Sequence, residues 1–209
     1  KSFLKRNYPN EVLISNGNLS FKNLKKNSIV GTSSPRREFQ IRLKRPDLII
    51  KLIRGNIDTR ISMLRNKNYD AIILAKAGIS SLNLENLISE EFHCREIVPS
   101  AGQGIIALQA REKDYNILEI LEKINHPKTE IMGKCEREVL KILGGDCNTA
   151  IGVNSKIENQ NISIIAELFS VKGNNRYFCE ETGEINMYLE IAKKVAGYLK
   201  TESNGDYKL

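Results

Sequence analysis

The sequence predicts an α/β fold, in which a lobe built on a parallel sheet precedes a smaller α+β unit. Three apolar strand patterns, at residues 28–30, 48–53 and 69–75, alternate with helical patterns. Such alternation is typical of parallel strands joined by right-handed crossovers. After residue 126, helical patterns flank three strand patterns, which indicates the second unit. A chain of 209 residues with 41% hydrophobic residues is long enough to bury two cores.

The first strand runs into the segment GTSSPRR, residues 31–37. Pro35 suits the first position of a helix, and three preceding residues can each cap it: Thr32, Ser33 and Ser34. Free backbone N–H groups, the positive end of the helix dipole and the guanidinium groups of Arg36 and Arg37 therefore meet, which favours an anion site. Taken alone, these residues fit a capped surface helix with solvated arginines equally well.

The next two predicted strands also end in loops that are suited to a ligand. The β-branched run 48–53 predicts a buried strand, after which Asp58 or Thr59 is expected to cap a helix. The carboxyl ends of parallel strands meet at one edge of a sheet, so loops 31–37, 54–60 and 75–78 are expected to lie together. One crevice is then expected to receive four side chains: Arg36, Arg37, Arg54 and Arg60. Four arginines at one edge indicate a site for several acidic groups.

The second half of the chain starts with small residues. Segment 99–104, PSAGQG, suits a hinge or a close backbone approach to a ligand, and the alternative is a plain tight turn. The apolar run 105–108 predicts a strand, and 117–124 an amphipathic helix. His126 is interpreted as a turn residue before a helix at 129–142.

The loop after that helix carries a cysteine. Gly144 and Gly145 end the helix, and Cys147 follows as either an exposed functional thiol or an inert one. Cys135 falls on the apolar stripe of the helix and is predicted to be core. Strands are predicted at 150–157, 162–169 and 176–181, followed by a helix at 185–199. Cys179 lies within the last of these strands and is predicted to be structural.

Composition argues against several classes of protein. The net charge is +7, but the basic residues are dispersed and tryptophan is absent, so nucleic acid is not expected as a partner. Neither a signal peptide nor an apolar run of about 20 residues occurs, so no membrane partner is expected. The four cysteines form no C-x-x-C pair, which predicts no metal site and favours a reducing compartment. His93 and Cys94 could look like a catalytic pair, but adjacent residues on a strand point to opposite faces, so they are not expected to share a pocket.

Five motifs together resemble those of the porphobilinogen deaminase (hydroxymethylbilane synthase) family. They are GTSSPRR at 31–37, RGN and TR within 54–60, YDAIILA at 69–75, GQG at 102–104 and GDC at 145–147. Their order and spacing match from near Tyr8 to the C-terminus, which is far more specific than any single motif.

The resemblance implies three domains: two resemble the lobes of periplasmic binding proteins, and the third carries a cofactor cysteine. Here residues 1–9 and 99–125 would be the remnant of domain 1, 10–98 domain 2, and 126–209 domain 3. It also implies a monomeric transferase in the cytoplasm, or in a plastid in a eukaryotic source.

The implied reaction joins four porphobilinogen molecules, with loss of ammonia, into hydroxymethylbilane. The primer is a dipyrromethane cofactor bound covalently to the thiol that matches Cys147. The cofactor contacts carried over from the family are Thr32, Ser33, Ser34, Arg36 and Arg37. Those for substrate are Arg54, Gly55, Arg60 and Gln103. Replacing Arg36 or Arg37 is therefore expected to impair cofactor assembly or elongation with little loss of fold.

The sequence departs from the family pattern at three points. The catalytic aspartate of the family lies in a Lys-Asp stretch that would fall upstream of Lys1, so no catalytic residue is assigned in this chain, which alone is expected to be inactive. Ser80 and Ser81 occupy the region of a family arginine, and Asp146 replaces a glycine, which is expected to raise the pKa of Cys147. The alternative function is a non-catalytic binding module for acidic small molecules.

Overall fold

The computed structural model describes residues 1–146 and 148–208, and within them ten strands and six α-helices. The strands are β1 (Ser2–Phe3), β2 (Glu11–Ser15), β3 (Ile29–Gly31), β4 (Ile49–Lys51), β5 (Ala71–Ala75), β6 (Glu90–Glu91), β7 (Ala107–Leu108), β8 (Ile151–Glu158), β9 (Asn161–Phe169) and β10 (Arg176–Glu184). The helices are α1 (Pro35–Lys44), α2 (Ile57–Arg65), α3 (Lys76–Ser81), α4 (Tyr115–Lys123), α5 (Pro127–Leu143) and α6 (Tyr188–Ser203). The elements form three sheets.

The largest sheet has five strands in the order β4-β3-β5-β2-β6. Strands β3, β4 and β5 are parallel, which confirms the predicted α/β class. Strands β2 and β6 run antiparallel to their neighbours β5 and β2, so the sheet is mixed. The sequence indicates only a short apolar stretch where β2 forms, yet β2 is buried along its whole length.

Side chains alternate between the two faces of this sheet. Leu13 and Ile73 pack with Ile41 of α1 on one face. Ile14 and Ile72 pack against α2 and α3 on the other. Because neighbouring residues of a strand point to opposite faces, the apolar runs of β2 and β5 serve both cores.

The prediction that 48–53 forms a buried strand is wrong. Strand β4 lies at the edge of the sheet, and Ile49 and Leu52 are 42% and 60% exposed. An edge strand has one neighbour instead of two, so an apolar β-branched run alone does not bury it. The N-cap of α2 also differs from the prediction of Asp58 or Thr59. It is Asn56, whose side chain accepts a hydrogen bond from Thr59 N.

The C-terminal elements form a three-stranded antiparallel sheet, β10-β9-β8, packed on α5 and α6. The three strands and the last helix appear where the sequence predicts them. Cys135 is fully buried in this core, as predicted, and Gly144 ends α5 with a left-handed backbone, φ 71°. His126 is the N-cap of α5, because its Nδ1 accepts a hydrogen bond from Thr129 N.

Strands β1 and β7 pair antiparallel to form the third, two-stranded sheet. The strand predicted at 105–108 is therefore shorter, and Ile106 is exposed. Helix α4 is amphipathic, and Leu118 and Leu121 are half-buried, but four other apolar residues remain exposed in the described chain: Tyr115, Ile117, Ile120 and the adjoining Ile124. Among the described residues, no helix has the length and apolar character needed to cross a bilayer.

Candidate functional site

The helix start predicted in segment 31–37 is present. Pro35 occupies the first turn of α1, and Ser34 is the cap, its Oγ accepting a hydrogen bond from Arg37 N at 3.4 Å. Thr32 supports the turn, since its Oγ1 accepts from Ser34 N. Ser33 is exposed. Because α1 begins at this position, Arg36 and Arg37 lie in its first turn, and their side chains extend toward the sheet.

Both arginines bind one buried carboxylate. Glu11 Oε1 lies 2.6 Å from Arg36 Nη2, and Glu11 Oε2 lies 2.8 Å from Arg37 Nη2. Glu11 is fully buried, and Arg36 is nearly so. Arg36 also donates through Nη1 to the carbonyl oxygen of Val98 at 2.6 Å. The first residue of β2 thus fixes the orientation of two guanidinium groups that the sequence assigns to ligand binding.

The electrostatics of this triad depend on burial and on pairing. Burial alone raises the pKa of Glu11, but the charges of Arg37 and Arg36 outweigh it and hold that pKa below its ordinary value. Burial lowers the pKa of Arg36, and Glu11 partly offsets the effect. The triad is therefore an ionised cluster, stable only while Glu11 keeps its negative charge.

Acidification is expected to weaken this triad. A carboxyl whose folded-state pKa is depressed contributes stability above its unfolded pKa, about 4.3 for glutamate, and loses it as the pH falls through the folded value. The gap in unfolding free energy between the wild type and Glu11→Gln should therefore shrink from pH 7 to pH values below about 4. Denaturant titrations of both proteins at several pH values measure the gap. A gap that stays constant with pH would show that Glu11 is not the titrating group.

The four arginines do not all line one cavity, so that expectation is wrong in its simple form. Arg37 and Arg60 line a small cavity of about 230 Å³ at the carboxyl end of β5 and the start of α2. Arg36 lines a larger one instead, and Arg54 is exposed outside both. The backbone carbonyl of Gly55 accepts a hydrogen bond from Arg60 Nε at 2.8 Å, which fixes the position of this guanidinium. Burial, and then the charge of Arg37, lower the pKa of Arg60, so an anion between the two would relieve their repulsion.

The larger cavity has a volume of about 620 Å³ and lies between the start of α1 and the end of α5. Ser34 and Arg36 line one side. The other side includes Arg137 and Lys141, one turn apart on α5, and Asp146. Arg137 and Lys141 were not predicted, although their i, i+4 spacing just before Gly144 places them on one helix face near the glycine loop.

The predicted roles of Cys147 lie outside the described residues. Its neighbour Asp146 is described, and a carboxylate oxygen of Asp146 accepts a hydrogen bond from Asn148 N at 2.6 Å. That bond and others hold the pKa of Asp146 below its ordinary value, so the carboxyl is ionised at neutral pH. Thr149 Oγ1 in turn accepts from Asp146 N at 3.0 Å. Asp146 is thus joined by hydrogen bonds to Asn148 and Thr149.

Gln103 faces the backbone and lines none of these arginine-bearing cavities. Its Nε2 donates to the carbonyl of Pro9 at 2.6 Å, and Arg6 Nε donates to the Gln103 carbonyl. Gly104 has a φ of 78°, and a Cβ there would lie 2.7 Å from the carbonyl oxygen of Tyr8. Of the interpretations of segment 99–104, the tight turn is the one seen, since Gln103 N donates to the carbonyl of Ser100 and Ile105 N to that of Gly102. The close contact of Gly104 is with the backbone at Tyr8.

A second buried ion pair secures that segment and was not predicted. Glu136 of α5 is fully buried and pairs with Arg6 at 2.5 Å. It also accepts hydrogen bonds from Gly102 N and from the N and Oγ of Ser155. One carboxylate thus joins the N-terminal segment, the glycine loop, α5 and β8.

The structure also positions three other groups of residues that the sequence singles out: His93 with Cys94, Ser80 with Ser81, and Gly55. His93 and Cys94 do share a cavity, contrary to the prediction, because they lie in a turn after β6 and not on a strand. Ser80 donates to Glu85, and Ser81 to the carbonyl of Ala77, so both hydroxyls are used within the protein. Gly55 has a φ of 108°, and a Cβ there would lie 2.8 Å from Thr59.

Comparison with known proteins agrees with these motifs. Residues 1–119 match the family model "Porphobilinogen deaminase, dipyromethane cofactor binding domain", and residues 131–201 match "Porphobilinogen deaminase, C-terminal domain". A porphobilinogen deaminase of Coxiella burnetii (strain Dugway 5J108-111) is 38% identical over 205 residues, 98% of this chain and 66% of the relative. That of Syntrophomonas wolfei is 36% identical over 83% of this chain and 57% of the relative. A probable porphobilinogen deaminase of Nitrosopumilus maritimus is 35% identical over 98% and 66%.

A solved periplasmic binding protein of Salmonella typhimurium with high arginine specificity is 18% identical, with a TM-score of 0.39 over 62% of this chain and 61% of that one. The chain spans just under two thirds of the length of the Coxiella and Nitrosopumilus relatives. The first family model matches more than half of the chain, and the second covers most of the remainder. On these matches, the chain belongs to the porphobilinogen deaminase family.

Proposed function

We propose that this chain forms the cofactor-carrying part of a hydroxymethylbilane synthase. The protein would polymerise four porphobilinogen molecules, with loss of ammonia, into hydroxymethylbilane. The observation that carries the proposal is the cavity that Ser34 and Arg36 share with Asp146, the residue before Cys147. This cavity brings segment 31–37, the predicted anion site, close to the glycine loop that follows α5.

The residues present fit a dipyrromethane cofactor. Such a group carries carboxylates, and the larger cavity offers cationic side chains from both of its sides: Arg36, Arg137 and Lys141. Cys147 would hold the cofactor through a thioether, with Thr32, Ser33, Ser34, Arg36 and Arg37 as its predicted contacts. When bound, the cofactor supplies the primer to which the pyrrole units are joined.

The protein's own contribution is a set of fixed positive charges. Each added pyrrole brings two carboxylates, so the growing product is a polyanion. Guanidinium groups suit it, because they stay charged and bind carboxylates through two parallel hydrogen bonds. Arg37 and Arg60, which share the smaller cavity, would hold incoming porphobilinogen, with Arg54 and Gly55 beside them. We assign Glu11 a positioning role, since it fixes Arg36 and Arg37 before any ligand binds.

The catalytic carboxylate of this scheme would come from the family aspartate, which the motif match places before Lys1. Lys1 itself is an exposed residue next to β1, and it lines neither the cavity of Arg36 nor that of Arg37 and Arg60. The 209 residues would therefore supply ligand binding and the cofactor thiol, and would turn over little or no porphobilinogen alone. Assay of the purified 209-residue chain tests this, and full turnover by that chain would refute the assignment of the carboxylate.

The domain boundaries are also part of the proposal. Residues 1–9 and 99–125 would belong to domain 1, 10–98 to domain 2 and 126–209 to domain 3. Each of the three sheets then falls within one of these units. We further propose that the protein is a monomer and acts in the cytoplasm or, in a eukaryotic source, in a plastid. Gln103 would hold the glycine loop close to the substrate through its hydrogen bond to the carbonyl of Pro9.

Replacing Arg60 by glutamine is expected to raise the KM for porphobilinogen at least about tenfold, since a charge-assisted contact to a carboxylate is lost. The unfolding free energy should change by less than about 0.5 kcal/mol, because Arg60 makes no ion pair within the described chain. Steady-state kinetics and denaturant unfolding, on the protein expressed from its complete gene, measure both.

Arg65→Gln is the matched control, since Arg65 is an exposed arginine in the last turn of the same helix. It should leave the KM unchanged. An unchanged KM in Arg60→Gln would refute the substrate role. A protein that binds porphobilinogen and forms no product would instead favour the non-catalytic binding module.

A further inference from the structure

The chain contains two asparagines that are each followed by a glycine. They are Asn16, before Gly17, and Asn204, before Gly205, and a serine precedes each of them. A glycine leaves the backbone nitrogen after an asparagine open to reaction, because no Cβ shields it. Both glycines are exposed, and a Cβ built on either would meet no atom within 4 Å. The two Ser-Asn-Gly segments are therefore matched in local sequence, and a difference in their chemistry must come from the fold.

The fold holds the side chain of Asn16 in place. Its Nδ2 donates to the carbonyl oxygen of Leu64 at 3.1 Å and to that of Tyr69 at 2.9 Å. Rotation of the side chain toward Gly17 N would break both hydrogen bonds. Because each broken bond adds to the free energy of a local opening, the fold protects the amide of Asn16 from attack by that nitrogen.

Asn204 lies in a different environment. It is the exposed C-cap of α6, with a left-handed backbone, φ 46°. Among the described residues, neither the Asn204 amide nor Gly205 N has a hydrogen-bond partner. The side chain can therefore rotate toward the glycine nitrogen without breaking a hydrogen bond of its own.

The tail that follows Asn204 is attached to the C-terminal core. Asp206 N donates to the carbonyl of Ser203 at 2.8 Å, which closes a turn. Tyr207 is only 7% exposed, and its hydroxyl donates to the carbonyl of Leu143 at 3.0 Å. Leu143 is the last residue of α5. The position of the Tyr207 ring thus depends on the geometry of the backbone through Asn204.

We propose that Asn204 is a site of spontaneous deamidation, and that its isoaspartate product releases Tyr207 from the end of α5. Gly205 N attacks Cγ of Asn204, the N–Cγ bond forms, and the Cγ–Nδ2 bond breaks. Nδ2 leaves as ammonia and takes the proton of the Gly205 amide. Water then opens the cyclic imide at either carbonyl, which gives aspartate or isoaspartate. The site is separate from the cofactor cavity and does not rest on the proposed function.

The isoaspartate product changes the length of the main chain. Its backbone runs through Cβ and Cγ, so one methylene group is inserted between Ser203 and Gly205. The turn that Asp206 N closes on the Ser203 carbonyl no longer fits this longer path. Tyr207 consequently leaves its buried position, and the carbonyl of Leu143 loses its donor.

Incubation in heavy-oxygen water at mildly alkaline pH tests the first step on the protein expressed from its complete gene. Every carboxyl formed from an asparagine takes up the label, so peptide mapping measures the rate at each site. In the folded protein, Asn204 should react at least about tenfold faster than Asn16, whose two hydrogen bonds must open first. In concentrated urea the two rates should become equal. Equal rates in the folded protein, or a difference that persists in urea, would overturn the proposal.

The second step is tested on the isoaspartate form, which carries an additional negative charge and separates by ion exchange. Its melting temperature should be lower by at least about 2 °C, because the Tyr207 hydrogen bond and packing are lost. Asn204→Gln is the control, since its longer side chain does not form the five-membered imide. That variant should keep its initial melting temperature throughout the incubation. An isoaspartate form that melts like the unmodified protein, or an equal decline in Asn204→Gln, would contradict the release of Tyr207.

Discussion

Replacing Arg36 by leucine is expected to lower the unfolding free energy by about 3–5 kcal/mol, the usual effect of removing one partner of a buried ion pair. Glu11 would stay fully buried with one guanidinium instead of two, and the carbonyl of Val98 would lose its Nη1 donor. Equilibrium denaturation in urea measures the change.

The control lies on the same helix. Arg42 pairs with Glu38 at 2.8 Å on the exposed side of α1, and Arg42→Leu should cost only about 0–1 kcal/mol. The double variant Glu11→Leu/Arg36→Leu should be more stable than the sum of the single effects indicates, because the Arg36–Glu11 pair is removed as a whole and only Arg37 loses its carboxylate. Equal losses in Arg36→Leu and Arg42→Leu would contradict the buried triad.

This result would also correct an expectation drawn from sequence. The motif assigns Arg36 to cofactor binding with little loss of fold on replacement, but its guanidinium is nearly buried and paired. A loss of activity in an Arg36 variant would therefore reflect both lower stability and lost cofactor binding. Arg60 gives the cleaner test of carboxylate recognition, since it lies outside the Glu11 triad.

Glu136→Ala is the second change expected to have a large effect, again about 3–5 kcal/mol of unfolding free energy. The substitution leaves Arg6 buried without its carboxylate, and leaves Gly102 N and the N and Oγ of Ser155 without an acceptor. The junction between the N-terminal segment, the glycine loop and the C-terminal sheet should loosen as a result. Hydrogen exchange of the Gly102 and Ser155 amides, together with urea unfolding, measures both effects.

Glu130→Ala, on the same helix, provides the comparison. Glu130 forms an i, i+4 pair with the exposed Lys134, and its loss should cost no more than about 1 kcal/mol. If Glu136→Ala is no more harmful than Glu130→Ala, the buried carboxylate does not hold this junction together.

Local signals in the sequence account for the correct part of the fold. Pro35 after Ser34 predicts the start of α1, and Gly144 the end of α5, because each has a backbone preference that acts locally. The parallel strands β3 and β5 follow from apolar runs between helices. The exposure of Leu52 does not follow, because composition does not say whether a strand has one neighbour or two.

The candidate site is predictable only where its residues are neighbours in sequence. The motif identifies Arg36 and Arg37, but not Glu11, 25 residues before Arg36, since only the pairing of β2 with β5 brings it there. Arg137 and Lys141 do carry a local signal in their i, i+4 spacing before Gly144, but only the fold places them opposite Arg36. His93 and Cys94 are excluded from a common cavity only if a strand forms there, and none does at these two residues.

The most direct test is the mass of the protein expressed from its complete gene, followed by peptide mapping. We predict an adduct of two pyrrole units on the peptide that contains Cys147, coloured by Ehrlich's reagent. An active protein whose Cys147 thiol is unmodified, or whose adduct maps to another residue, would contradict the account.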